Sequence, residues 1–180
     1  TLLVGCGSKT VTMKDRAGNE FTSPKKLERI ISTAPSNTEV LVGLGLADKL
    51  VCVDKYSAGI EGVSEDITKI DFRNPDAETI IALEPDIIIA SGHNKEGKED
   101  PFAVLKEAGI PVVYIPSSDS IEGIYGDIEF MAEVVDKKSE GKKMVDEMKK
   151  EVASIKAIGD TITDKKKVYF EIGSSSKLSS

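Results

Sequence analysis

Tryptophan is absent from this 180-residue chain, His93 is the one histidine, and aromatic residues make up only 5%. A site that works by stacking therefore has few rings to use, and any aromatic beside a cleft carries extra weight. Cysteine occurs twice, at Cys6 and Cys52, which excludes a disulfide-dense scaffold. A bond between the two would tie down only the frayed end of the chain. Cys52, inside the apolar run KLVCVD, reads instead as a small buried hydrophobe. No apolar run approaches the roughly 18 residues that a membrane-crossing helix needs. Positive charge is in deficit: 24 Lys and Arg face 31 Asp and Glu, for a net charge of −7. That balance argues against nucleic acid as a partner, because phosphates call for a basic surface.

What is present suffices for one packed domain, or one domain and part of another, since 39% of residues are hydrophobic. TVTMKDRAGNEFTSP reads as a hairpin, with Val11 and Met13 alternating, a turn around Asp15 to Asn19, Phe21 on the return strand and Pro24 as the stop. Short β-branched runs then recur at 29–33, 50–53, 86–90 and 112–115. Helical windows lie between them at about 37–44, 76–83 and 101–108. This alternation predicts an α/β lobe, Rossmann-like, with a mainly parallel sheet flanked by helices. PDIIIAS is the clearest strand, a continuous apolar run of the kind buried on both faces. Two further helices follow. Ile121, Ile124, Tyr125, Ile128, Met131 and Val135 mark the first; Met144, Met148, Val152 and Ile155 mark a second, from about Ser139 to Ile158. KKKVYFEIG then begins what reads as the first strand of a second, truncated lobe. The expected organisation is a signal remnant and anchor at 1–8, an N-terminal α/β lobe at 9–135, an interlobe helix at 136–160 and the start of a C-terminal lobe at 161–180.

Three stretches hold candidate chemistry. In APSNTEVLVGLGL, Ser36 and Glu39 have capping-box spacing, with Pro35 stiffening the entry. The helix start, with Pro35, Ser36 and Asn37 as candidate ligand contacts, would aim its free amides toward a ligand at the carboxyl end of the sheet. GLGLAD ends a helix and lacks a third glycine, so it is not a dinucleotide loop. In DFRNPDAETIIALEPD, Asn74 is the expected cap with Pro75 at the first helical position; Ala77, Ile80 and Ile81 would face the sheet and leave Glu78 toward water. Phe72 and Arg73 precede that helix as a ring beside a cation. The third stretch, ASGHNKEGKEDP, follows the best strand and carries Ser91, His93 and Asn94. A lone histidine makes a poor zinc site, which recruits three or four ligands. No serine has a base partner or nucleophile-elbow glycines, so no catalytic set is visible.

At the start of the chain, LVGC has the form read by the bacterial lipoprotein signal peptidase, which would make Cys6 an acylated anchor. The alternative for TLLVGC is a short N-terminal strand.

The order of RIISTAPSNTEVLVGLGLADKLVCV, NPDAETIIALEPDIIIA and GIPVV, after Pro24, resembles the ABC-transporter solute-binding proteins for iron–siderophore complexes, haem and vitamin B12. The likeness runs from about residue 10 to the end; one departure is Cys52, where such proteins usually carry glycine. The resemblance implies two α/β lobes joined by a long rigid helix, small closure on binding, and ligand held between the lobes. It implies that Glu78 docks on a membrane permease, and that Tyr56 and Phe72 contact ligand. At Ser91 a ligand-stacking tryptophan of the vitamin B12-binding relative is missing. That loss, with Arg73 and the polar SGHN nearby, tilts the expectation from vitamin B12 toward an anionic ferric chelate, with a cobalamin or haem receptor of the same family as the alternative. The expected protein is then no enzyme but a monomeric extracytoplasmic receptor, lipid-anchored through Cys6, with no resident cofactor, delivering its cargo to the permease. A receptor for free zinc or manganese would need clustered histidines and carboxylates, and a Rossmann-like enzyme would need a phosphate loop; neither is visible in the sequence.

Overall fold

A computed structural model describes residues 11–92 and 100–170. Cys6 and the rest of the 1–8 segment lie outside these residues, as do His93 and Asn94.

The expected hairpin forms: β1 (Thr12–Lys14) pairs antiparallel with β2 (Glu20–Thr22), Met13 opposite Phe21. Its turn is organised by the buried Asp15 carboxylate, which accepts from the amides of Ala17 and Asn19 at 2.9 and 2.8 Å. The same carboxylate accepts from the amide of Tyr114 at 3.0 Å and so ties the turn to the main sheet.

The rest alternates strand and helix: β3 (Ile30–Ser32), α1 (Pro35–Gly43), β4 (Leu50–Asp54), β5 (Thr68–Ile70), α2 (Ala77–Ala82), β6 (Ile87–Ser91), α3 (Ala103–Glu107), β7 (Val112–Ile115), α4 (Ile121–Val134) and α5 (Lys138–Asp160). Strands β3 to β7 make one parallel sheet in the order β5-β4-β3-β6-β7. The chain builds outward from β3 to β5, returns to the other side at β6 and ends at β7. The switch in direction therefore falls between β3 and β6, where open α/β sheets leave a crevice beyond their carboxyl ends.

Side-chain alternation along β6 explains its unbroken apolar run. Ile87 and Ile89 join a cluster with Leu41, Val113 and Met131 on one face; Ile88 and Ala90 join Ile80, Phe102, Leu105 and Tyr114 on the other. Cys52 belongs to the second cluster, fully buried and free of any disulfide, as its sequence context suggested. Burial, helped by the nearby Asp54 charge, pushes its thiol pKa up to about 12. Helices α4 and α5 approach closely at Gly141, where a Cβ would collide with that of Ala132.

The structure corrects four local expectations. Ser36 is not the cap of α1: Ala34 is, with Pro35 at the first helical position and no side chain capping the end. Proline's fixed φ suits that first position, so the helix starts earlier than the Ser36–Glu39 box requires. Helix α2 is likewise capped by Asp76 and not Asn74; its carboxylate accepts from the Glu78 amide at 3.2 Å and from the Thr79 hydroxyl at 2.5 Å. Those contacts, the hydroxyl's first, hold the Asp76 pKa below its usual range. Ile81 is 42% exposed while Ile80 is fully buried, because one residue further on turns the side chain about 100° off the sheet-facing line. Finally, residues 161–170 contain no strand, and Val168, Tyr169 and Phe170 are exposed. A strand exists through hydrogen bonds to a neighbour, and none runs alongside among the described residues. The long helix α5 is present at 23 residues; contacts divide the chain within it, between Val145 and Asp146.

Candidate functional site

The segments that leave the carboxyl ends of the five parallel strands carry the candidate residues. Thr33 stitches the switch point: its amide donates to the Ile89 carbonyl at 3.1 Å, and its hydroxyl oxygen accepts from the Ser91 amide at 3.2 Å. Beyond it opens a recess of about 370 Å³. The start of α1 supplies one wall, with Pro35, Ser36, Asn37 and Val40; Ser91 ends β6 beside it, and Ile124, Ile128 and Met131 of α4 form the opposite wall. The loop after β7 closes it with Pro116, Ser117 and Ser118, and the loop backbone packs so tightly that a Cβ on Gly92 would sit 2.8 Å from Pro116 Cα. Pro35, Ser36, Asn37 and Ser91 thus line one recess.

Asn37 is the unusual member. It is 2% exposed, and its Nδ2 makes no hydrogen bond. The next residue, Thr38, shows the contrast. Its buried Oγ1 lies 2.8 Å from Ser32 Oγ, 3.1 Å from the Ala34 carbonyl and 3.0 Å from Ser57 Oγ. Ser57 in turn donates to the buried Asp54 carboxylate, whose Oδ1 accepts from the Tyr56 amide at 2.8 Å. The β3–α1 turn and the β4 loop are therefore locked to each other under Tyr56.

Tyr56 itself is 61% exposed. Its ring lies 6.4 Å from that of Phe72, tilted at 57°. Each ring has its own cation: Lys55 Nζ is 5.1 Å from the centre of Tyr56, and the Arg73 guanidinium is 5.5 Å from that of Phe72. Lys55 also pairs with Asp71 at 3.9 Å. Two apolar faces edged with positive charge suit a flat or bulky anion. Glu78 is exposed in the first turn of α2, near the positive end of that helix.

Sequence reasoning missed Thr38, Ser57 and Asp54, and it missed Asp127. That carboxylate is 7% exposed on the core-facing side of α4, accepts from Arg16 Nε at 2.7 Å and from the Ser118 hydroxyl at 2.5 Å, and lines the recess. The available signal was an acidic residue one position before Ile128, in phase with the apolar stripe. Among the described residues, no three His, Cys, Asp or Glu side chains cluster as a metal site would.

Residues 30–177 match the family described as periplasmic binding protein. The chain is 30% identical, over 191 aligned positions, to YvrC of Bacillus subtilis (strain 168), an uncharacterized ABC transporter substrate-binding lipoprotein; the match covers 95% of this chain and 60% of that one. It is 32% identical over 146 positions to the vitamin B12-binding protein of Vibrio parahaemolyticus, covering 81% of this chain and 52% of the other. A solved structure, that of a possible iron-binding (periplasmic solute-binding) protein from Staphylococcus epidermidis, superposes with a TM-score of 0.70 at 31% identity, over 78% of this chain and 54% of that one. The chain therefore spans between 52 and 60% of the length of these curated relatives. With a match that begins at β3 and runs through α5, the chain belongs to the periplasmic binding protein family.

Proposed function

We propose that this chain is the ligand-capturing part of an extracytoplasmic receptor that takes up an iron complex, a ferric siderophore or related chelate, and delivers it to the permease of an ABC importer. The observation that carries the reading is the Tyr56–Phe72 pair. In a chain with few aromatics, these two rings stand at the carboxyl edge of the sheet, Tyr56 well exposed and each ring flanked by a cation. Exposed rings edged with charge recognise the chelate and leave the bare metal alone. The metal is cargo, and no resident cofactor is invoked. Cys6 is the proposed lipid anchor; the name of the Bacillus relative, a lipoprotein, supports it.

Titrating the full-length protein with ferric siderophores, haemin and cyanocobalamin, followed by tyrosine fluorescence, tests the ligand class. Saturable binding of a ferric chelate that weakens in Tyr56→Ala and Arg73→Ala is expected; silence toward all of them would remove the class. A cobalamin receptor is the second reading, favoured by the likeness to the vitamin B12-binding protein. It would show as preference for cyanocobalamin over every ferric chelate.

Glu78 is proposed to dock on the permease, where its exposed carboxylate would make charge-assisted contacts with basic side chains. Glu78→Arg should cut transport at least tenfold and leave cargo affinity unchanged. Transport at the wild-type rate would rule the docking role out.

A further inference from the structure

We infer that Asp71 sets cargo choice at the ring edge: its carboxylate competes with an anionic cargo for Lys55, so that charge alone does not win the site; this deepens the chelate reading above and rests on it. The two loops that carry the rings continue the pairing of their strands. Strands β4 and β5 run parallel with Asp54 opposite Ile70. The next residue along each brings Lys55 beside Asp71, Nζ to Oδ2 at 3.9 Å, and the one after brings Tyr56 beside Phe72, ring centres 6.4 Å apart. A charge pair therefore stands directly before the ring pair, in the same register.

Both loops build the same turn, which isolates what is unusual in the second. Asp54 Oδ1 accepts from the amide of Tyr56, two residues on, at 2.8 Å; Asp71 Oδ1 accepts from the amide of Arg73, also two residues on, at 3.0 Å. In the first loop the carboxylate is fully buried and its second oxygen is taken by the Ser57 hydroxyl. In the second the side chain is 51% exposed and its second oxygen faces Lys55, itself 53% exposed. A turn of this kind needs one side-chain oxygen, and asparagine would supply it. The charge on Asp71 is therefore surplus to the turn. It adds little to the fold either, since ion pairs this exposed hold weakly. What it does is occupy the cation that flanks Tyr56, whose Nζ lies 5.1 Å from the ring centre. An anion with no face to lay on the rings must displace Asp71 from Lys55 and gains no ring contact. A chelate that also packs on Tyr56 and Phe72 gains that contact in the same step. Selection then comes from a repulsive group as much as from the attractive ones.

The test compares the full-length wild type with Asp71→Asn, Lys55→Gln and the double variant by calorimetric titration. The probes are ferric enterobactin, an anionic chelate, ferrioxamine B, a cationic one, and cyanocobalamin, which is neutral. Asp71→Asn should bind ferric enterobactin about two- to fivefold more tightly at low salt, the size of one exposed ion pair. The gain should fade as salt is added. Neither ferrioxamine B nor cyanocobalamin should gain, and the melting temperature should match wild type, because asparagine keeps the oxygen that the Arg73 amide needs. With Lys55→Gln in place the Asp71→Asn change should have less effect, since no cation is left to release. Equal or weaker binding of ferric enterobactin by Asp71→Asn would overturn the inference and leave the chelate reading standing. So would an equal gain for either other probe, or a gain insensitive to salt, each the mark of a reshaped turn. A gain undiminished without Lys55 would show that cargo and Asp71 do not compete for it. Ferric enterobactin left unbound by Asp71→Asn, while another probe binds, would overturn the inference as well. If wild type and Asp71→Asn bind none of the three, the chelate reading falls and takes this inference with it.

Discussion

Removing the hydroxyl of Thr38 tests whether the β3–α1 turn and the Tyr56 loop are held as one unit. Thr38 is fully buried and touches three oxygens within 3.1 Å, on Ser32, Ala34 and Ser57. Thr38→Val keeps the shape and the β-branch, so packing and helix propensity change little. It leaves the fully buried hydroxyls of Ser32 and Ser57 one contact short. A buried polar group deprived of its partner costs about 1–3 kcal/mol, or roughly 2–12 °C in melting temperature at this chain length. Thr38→Ser is the control. It keeps the oxygen and loses a methyl, a change worth about 0.5–1.5 kcal/mol by analogy with Ile→Val. Urea unfolding followed by far-UV circular dichroism measures both variants. Valine should be the more damaging substitution, although it is the closer match in volume. It should also weaken cargo binding, because Ser57 and Asp54 transmit the loss to the Tyr56 amide. A valine variant as stable as wild type, or a serine variant worse than valine, would show that the network does not carry the turn.

Gly141→Val places a side chain against Ala132 at the α4–α5 crossing; overpacking there should cost about 1–3 kcal/mol, seen as a lower urea midpoint, and Ala132→Gly should recover part of it. Cys52, in a Cys6→Ser background, should resist iodoacetamide at pH 8 in native protein and react on unfolding, since burial holds its thiol protonated up to about 12. The same shift has a sign: above pH 9.0 the unfolded chain releases this proton and the native one keeps it, so stability falls as pH rises through that window. Cys52→Ala should flatten the decline; an unaltered pH profile would contradict the assignment.

Much of the lobe was legible because its strands are buried on both sides. PDIIIAS and GIPVVYI carry their own signal, an apolar run too short for a helix and bounded by proline. β5 was not legible: TKI is three residues, only the last of them buried, and a strand that short is defined by its pairing with β4. Helix starts misled for a related reason. Several residues in APSN and NPDA can cap, and the choice between them is made by proline's φ and by which oxygen reaches an amide, neither of which appears in spacing. The site divides the same way. Tyr56, Phe72 and Arg73 stood out as rare rings and a neighbouring cation. Thr38, Ser57 and Asp54 did not, because a polar residue in a helix, one at a strand end and one in the following loop read as unrelated until the sheet brings α1 and the end of β4 together.

The position of Ser91 links this local chemistry to cargo choice. A large ring there would extend from the end of β6 across the switch point, against the recess that Ser91 lines. Serine leaves that space open. The exposed stacking surface stands instead at the edge, on Tyr56 and Phe72. Ser91→Trp should therefore act as a specificity switch, reversing the order in which the full-length protein ranks ferrioxamine B and cyanocobalamin. If the tryptophan leaves both affinities untouched, the recess takes no part in recognition, and selection rests on the outer rings alone.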